Sequence, residues 1–326
     1  MSPDPLKDPV LLNDWHVVGR SEDLPEGAIG KARVLGEDLV TWRQGGRAHV
    51  WQDLCVHRGS RLSLGWVKDG RLTCAYHGWT YDAQGRCVRF PSHPEQRPPP
   101  TASARTYRSD ERYGLLWACL GDPAADIPAF REWADGGFRK IPCGPYRYRA
   151  SATRAVENFL DVAHFPFVHG GLLGDEAHAE IEDYGVETGP SGITARNVVV
   201  WQPDPDGTGK GKAVTYTYRV LRPLTAYFVK TSDEGSFAIQ LNVTPVDQEN
   251  CTAWMWIALD YAKDTPDSEF RAYQDRITGQ DVPIVESQRP ELLPLDLQAE
   301  MHLRSDRIAV AYRKWLRQLG LSFGTA

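Results

Sequence analysis

The chain has 326 residues, 41% hydrophobic and 25% charged, with a formal net charge of −6, so two domains are expected and a disordered or fibrous protein is set aside. Its longest apolar runs fall far short of the roughly 18 residues a membrane span needs, and its first residues are polar, so neither a span nor a secretory signal is read. Charges of both signs are interspersed along the sequence, which disfavours nucleic acid as a partner and points to a small molecule.

From Trp15 to Leu120, β-prone runs at 32–35, 39–42, 48–53, 71–74, 79–81 and 115–120 are punctuated by Gly, Asn and Asp, which predicts a small all-β unit. A proline-rich stretch from Pro91 to Pro100 interrupts it. Pro123 and Pro128 follow the last run, so a boundary is expected near Gly121, with domains at 1–121 and 122–326. Beyond it, 152–168 reads as helix, and 193–201, 213–221, 226–230, 237–243 and 252–260 as strands of one antiparallel sheet. Residues 202–212 read as a mobile hairpin loop, and 267–288 and 305–319 as two closing helices. The order predicts an α+β domain whose sheet grips a long helix.

Six cysteines, Cys55, Cys74, Cys87, Cys119, Cys143 and Cys251, are too sparse for a disulfide scaffold, and a reducing cytoplasm is expected. Two of them sit with histidines: Cys55-Val56-His57, sixteen residues, then Cys74-Ala75-Tyr76-His77. Four such ligands suit a tetrahedral zinc or a two-iron cluster with cysteines on one iron and histidines on the other. Zinc fingers pair like with like in each knuckle, whereas here each half mixes Cys and His, which favours the cluster. Each loop would present its Cys to a buried iron and its His to an outer one, leaving both imidazoles at the surface for electron transfer. Neutral imidazoles also raise the potential to about −150 to +300 mV.

Further on, Asn158-Phe159-Leu160-Asp161-Val162-Ala163-His164-Phe165-Pro166-Phe167-Val168-His169 carries two histidines five residues apart. A regular helix would turn their rings about 140° from each other. Pro166 lies between them and is expected to break or bulge the helix there, so that both rings converge on one ion. Asp161 and His164, three apart, share a face. Two histidines and one carboxylate on one side of a ferrous ion leave positions open for oxygen. The carboxylate must come from a distant helix, and spacing leaves Asp275, Asp281 and Glu286 all open.

Cys55-Val56-His57-Arg58-Gly59 together with Cys74-Ala75-Tyr76-His77-Gly78-Trp79 closely resembles the Rieske signature C-P-H-R-G with C-P-Y-H-G-W. Val56 and Ala75 stand where prolines are common, and neither is a ligand position. The resemblance extends from Asn13-Asp14-Trp15 to Tyr312-Arg313-Lys314-Trp315-Leu316 and is to the alpha subunits of Rieske non-haem iron oxygenases, in their demethylase branch. It implies a [2Fe-2S] cluster on Cys55, His57, Cys74 and His77, and a mononuclear Fe(II) on His164, His169 and Asp281. The last residue follows from the likeness of Asp281-Val282-Pro283-Ile284-Val285-Glu286-Ser287-Gln288 to the family's D-x-x-x-x-E-S-Q stretch.

The resemblance further implies a helix-grip, START-like catalytic domain. Asp161 would bridge an iron-ligand histidine and a cluster histidine of the next subunit in a head-to-tail homotrimer, with Asn158 beside the iron. A ferredoxin or flavin reductase would supply electrons, and O2 would hydroxylate a small aromatic or heterocyclic substrate, with N- or O-demethylation or ring dihydroxylation as outcomes. Alternation along 237–244 puts Asn242 on one face with Ala238, Gln240 and Thr244, and Asn242 is the candidate substrate contact. The competing readings are an electron carrier whose second domain lacks iron and a zinc-stapled interaction module.

Overall fold

The computed structural model describes residues 8–326 except Asp206; residues 1–7, counted in the first expected domain, and Asp206, inside the expected hairpin 202–212, lie outside the described residues. The chain divides into two compact units between Ile127 and Pro128.

The first unit opens with a single helical turn, α1 (Pro9–Leu12), capped by the Asp8 carboxylate, which accepts from the amides of Val10 and Leu11. Strands β1 (His16–Arg20), β2 (Ile29–Val34), β3 (Glu37–Gln44) and β4 (Arg47–Gln52) follow. The short strands β5 (Trp66–Lys68), β6 (Arg71–Thr73), β7 (Thr80–Tyr81) and β8 (Cys87–Arg89) form a four-stranded sheet in sequence order. Strands β9 (Thr106–Arg112) and β10 (Leu115–Cys119) complete a six-stranded sheet ordered β1-β10-β9-β4-β3-β2. Tight two-residue turns join the hairpins. Gly45 and Gly46 between β3 and β4, and Asp69 and Gly70 between β5 and β6, all have positive φ, the geometry that matches strand twist. A core of Trp42, Trp51, Tyr81, Leu62 and Leu72 encloses Cys55 and Cys74.

The second unit is built on an antiparallel seven-stranded sheet ordered β11-β17-β16-β15-β14-β13-β12. Its strands are β11 (Arg139–Tyr148), β12 (Gly185–Gly189), β13 (Gly192–Gln202), β14 (Lys212–Arg222), β15 (Thr225–Ser232), β16 (Gly235–Pro245) and β17 (Cys251–Leu259). Helix α2 (Ala152–Leu160) lies against β15, β16 and β17, and α4 (Asp267–Ser287) against β11. A short helix α3 (Phe165–Val168) follows α2, and α5 (Arg307–Leu319) closes the chain.

The expected helix over 152–168 is two helices. The first begins at Ser151, whose Oγ accepts from the Arg154 amide at 3.3 Å, and stops at Asp161, which is extended with ψ 134°. Pro166 is not the breaker; it sits in the first turn of α3, where no intrahelical donor is needed. The break comes five residues earlier because the Asp161 carboxylate accepts from the Ala163 amide at 2.7 Å, a local turn that competes with helical bonding. Among the described residues no helix is long and apolar enough to cross a membrane.

Candidate metal centres

In the first unit two loops are built alike. The Cys55 amide donates to the Ser60 carbonyl (2.8 Å) and the Gly59 amide to the Cys55 carbonyl (2.9 Å). Cys74 repeats this pattern with Trp79 (2.9 Å) and Gly78 (3.0 Å). Gly59 and Gly78 turn each loop at φ 71° and 69°, and a side chain at position 78 would also strike Pro91 Cγ at 2.9 Å. The loops bring four donors together in two layers. Cys55 and Cys74 are 2% and 1% exposed and form no disulfide, while the His57 and His77 rings stand 4.6 Å apart nearer the surface.

These residues fit a two-iron cluster. His57 Nδ1 is sealed from solvent without a hydrogen-bond partner, the environment that suits a metal-ligating nitrogen, and the ring is fixed by stacking on Trp79 at 4.3 Å. Burial pushes the Cys55 thiol up, so a thiolate here needs adjacent positive charge of the kind iron supplies. Tyr81 Oη lies 3.1 Å from Cys55 Sγ.

In the second unit His164, His169 and Asp281 converge. His164 Nε2 is 3.2 Å from His169 Nε2 and 3.4 Å from Asp281 Oδ1, and His169 Nε2 is 3.1 Å from Asp281 Oδ1. The outer nitrogens are held in turn. Asp161 Oδ2 lies 3.2 Å from His164 Nδ1, and Gln280 Oε1 lies 2.9 Å from His169 Nδ1. Each acceptor keeps a proton on Nδ1 and leaves the Nε2 lone pair aimed inward, the outer-shell arrangement of metal-bound histidine. Asn158 Nδ2 donates to Asp281 Oδ1 at 3.1 Å.

The electrostatics agree with a cation site. Burial opposes charge on His164, but Asp161 and Asp281 outweigh it and raise its pKa to about 9. Burial likewise works against the Asp281 carboxylate, yet His164 and His169 hold it below its ordinary value. Together these residues hold positive charge in a buried place, and the two-histidine, one-carboxylate set fits ferrous iron with open positions.

Spacing left three acids open, and each has a place. Asp275 accepts from the Tyr146 hydroxyl at 2.7 Å, Glu286 from the Arg149 amide at 2.9 Å and guanidinium at 2.8 Å, and Asp281 alone joins the histidines. Gln280 went unread as a functional residue; its only sequence signal is adjacency to Asp281.

Above the triad opens a cavity of about 530 Å³ lined by Phe159, Phe165, Tyr216, Phe228, Ile239 and Met255 among others. Registers explain this lining: Leu241 pairs with Ala226 and Met255, and Ile239 with Phe228 and Ile257, all on one sheet face. Asn242 is on the other. It aligns with Thr225 and Trp254, is 4% exposed, and accepts from the Thr225 hydroxyl at 3.3 Å. The expectation that Asn242 contacts substrate is therefore withdrawn, because the apolar residues of β16 face the cavity and the polar ones back away from it.

Residues 14–107 match the Rieske [2Fe-2S] domain family, and residues 148–322 match the family of the vanillate O-demethylase oxygenase C-terminal domain. The chain is 31% identical over 323 residues to methylxanthine N1-demethylase NdmA of Pseudomonas putida, covering 95% of this chain and 89% of that one. It is 30% identical over 331 residues to methylxanthine N3-demethylase NdmB of the same organism, covering 96% and 90%. The solved structure of Pseudomonas putida CBB5 NdmA with caffeine superposes with a TM-score of 0.85 at 30% identity, covering 96% of this chain and 92% of that one.

Proposed function

The chain belongs to the Rieske non-haem iron oxygenases with a vanillate O-demethylase-type catalytic domain, and we propose that it removes an N- or O-methyl group from a planar small molecule by hydroxylating the methyl carbon. When bound, the cluster stores single electrons from an external reductase and the ferrous ion activates dioxygen. Cys55, His57, Cys74 and His77 would hold the cluster, and His164, His169 and Asp281 would hold the iron. The hydroxylated methyl group then leaves as formaldehyde. The convergence of those three ligand atoms, 3.1 to 3.4 Å apart beneath an aromatic cavity, carries the reading.

The chain's other residues divide the remaining work. Asp161 and Gln280 fix the two imidazoles, and Asn158 orients the carboxylate. The Asp161 side chain keeps 36% of its surface exposed, which leaves it open to a cluster histidine of a neighbouring subunit in a homotrimer. Six buried cysteines without a disulfide suit the reducing cytoplasm. The relatives that share almost the full chain act on methylxanthines, and a flat, methylated heterocycle suits a cavity walled by aromatic rings.

Asp281→Ala tests the assignment. With a surrogate reductase and a panel of N- and O-methyl compounds, formaldehyde release is expected to vanish while the visible absorbance and reduced-state spin signal of the cluster persist. Formaldehyde release at the wild-type rate by that variant would overturn the ligand set.

A further inference from the structure

Away from the triad, the cavity carries a buried polar corner, formed where β13, β14 and β15 lie side by side. Tyr216 and Lys230 are cross-strand partners, and Gln202 ends β13. All three line the cavity, and Gln202 and Tyr216 are 0% and 3% exposed. Gln202 joins the others: its Nε2 donates to Tyr216 Oη at 2.9 Å, and its Oε1 accepts from Lys230 Nζ at 3.3 Å.

The ammonium decides which way this chain of bonds runs. An ammonium only donates, so the Gln202 atom facing Lys230 must be the carbonyl oxygen, and the amide nitrogen must face Tyr216. The phenol oxygen is thereby an acceptor, and its hydrogen is directed elsewhere. Among the described residues that hydroxyl makes no other hydrogen bond, and burial keeps it protonated. A buried donor without an acceptor is costly, and such groups concentrate where a ligand supplies the partner.

Resting on the reading of the triad as the oxidising centre, we propose that the Tyr216 hydroxyl, set by Gln202 and Lys230, is the substrate-positioning donor. It selects planar substrates that carry an sp² oxygen acceptor on the side away from the methyl group that is oxidised. Phe165 joins the two ends of the cavity, its ring 5.0 Å from His164 and 6.4 Å from Tyr216 between centroids, so the triad and the hydroxyl border one cavity wall within reach of a single small molecule. Phe228, 5.2 Å from Tyr216, offers an edge or face to that molecule.

The test is anaerobic equilibrium binding to the iron-loaded holoenzyme by calorimetry with two neutral probes, 4-methoxyacetophenone and its acceptor-free counterpart 4-isopropylanisole. The wild type is expected to prefer the ketone about tenfold. Tyr216→Phe removes the donor, and Gln202→Glu turns it, because the introduced carboxylate accepts from both Lys230 and the phenol. In both variants the preference should fall to about onefold, with 4-isopropylanisole affinity held within about twofold. Equal binding of the two probes by the wild type, tight or undetectable, overturns the proposal, as does a preference that survives Tyr216→Phe. Formaldehyde released from the 4-methoxy group reports separately: its absence beside an intact preference strikes the demethylase reading and leaves the donor assignment standing.

Discussion

Asp161 does two things with one carboxylate. Its Oδ1 ends α2 by accepting from the Ala163 amide, and its Oδ2 holds His164. Asp161→Asn keeps an oxygen for Ala163 but replaces the charged acceptor beside His164 with an amide, so the fold and the triad should survive while the proposed path through the carboxylate should be lost. Both metals should load, and re-oxidation of the pre-reduced cluster in a stopped-flow single turnover should slow at least about tenfold; an unchanged rate would remove Asp161 from the electron path. The mixed Cys/His halves were readable in sequence because four ligands fall in two short loops. Asp281 was not separable from Asp275 and Glu286, because Tyr146 and Arg149, which occupy the other two, come from β11 and the turn after it. Gln280 was hidden for another reason: neighbouring helical positions point about 100° apart, so a residue beside a ligand is not expected to reach the same centre.

At the scale of elements, five of the seven strands of the large sheet and the two closing helices were visible because their periodicities are strong and local. Strands β11 and β12 were not, β12 being a short glycine-bounded edge strand and β11 for a different reason. Strand β11 contains Pro142, Gly144 and Pro145, a composition that argues against a strand, and it exists because it is an edge strand with a bulge between Cys143 and Tyr146. The early end of α2 was likewise unreadable, since Pro166 advertises a break and Asp161 makes it. Besides the apolar face that α2 buries through Ala155, Val156 and Leu160, an ionic network ties it to α5. Arg313 on α5 donates to Glu157 at 2.6 and 2.7 Å and to Glu300 at 2.5 Å, and Arg154 donates to Glu300 at 2.8 Å. Arg313 and Arg154 are 3% and 2% exposed, so removing one partner strands buried charge. Arg313→Met should destabilise the protein by about 3 kcal/mol or more, read by urea unfolding. Because α2 carries Asn158 and leads into His164, the same variant should lose iron more readily to a chelator than it loses its cluster. Unfolding at the wild-type urea midpoint would show the network to be dispensable.

The whole molecule gathers Cys55, His57, Cys74 and His77 in one unit and His164, His169 and Asp281 in the other, and under the proposed reading electrons pass between them either within a chain or to a neighbour. Surface imidazoles on the cluster loops and a part-exposed Asp161 carboxylate beside the triad suit transfer across a subunit boundary. A closed ring of like subunits satisfies every such pairing at once, because head-to-tail contacts repeat until they close. Complementation distinguishes the two routes. His77→Ala should lose the cluster and Asp281→Ala the iron, so each is inactive alone. Co-expressed with separable tags and purified through both, their mixed oligomers place an intact cluster beside an intact triad on different chains. Cross-subunit transfer predicts recovery of roughly a third of the wild-type rate, because every mixed ring of three has one junction that joins an intact cluster to an intact triad, together with a solution mass of three chains. Mixed oligomers of that mass without activity would confine the electron path to a single chain, and active monomers would remove the need for the ring.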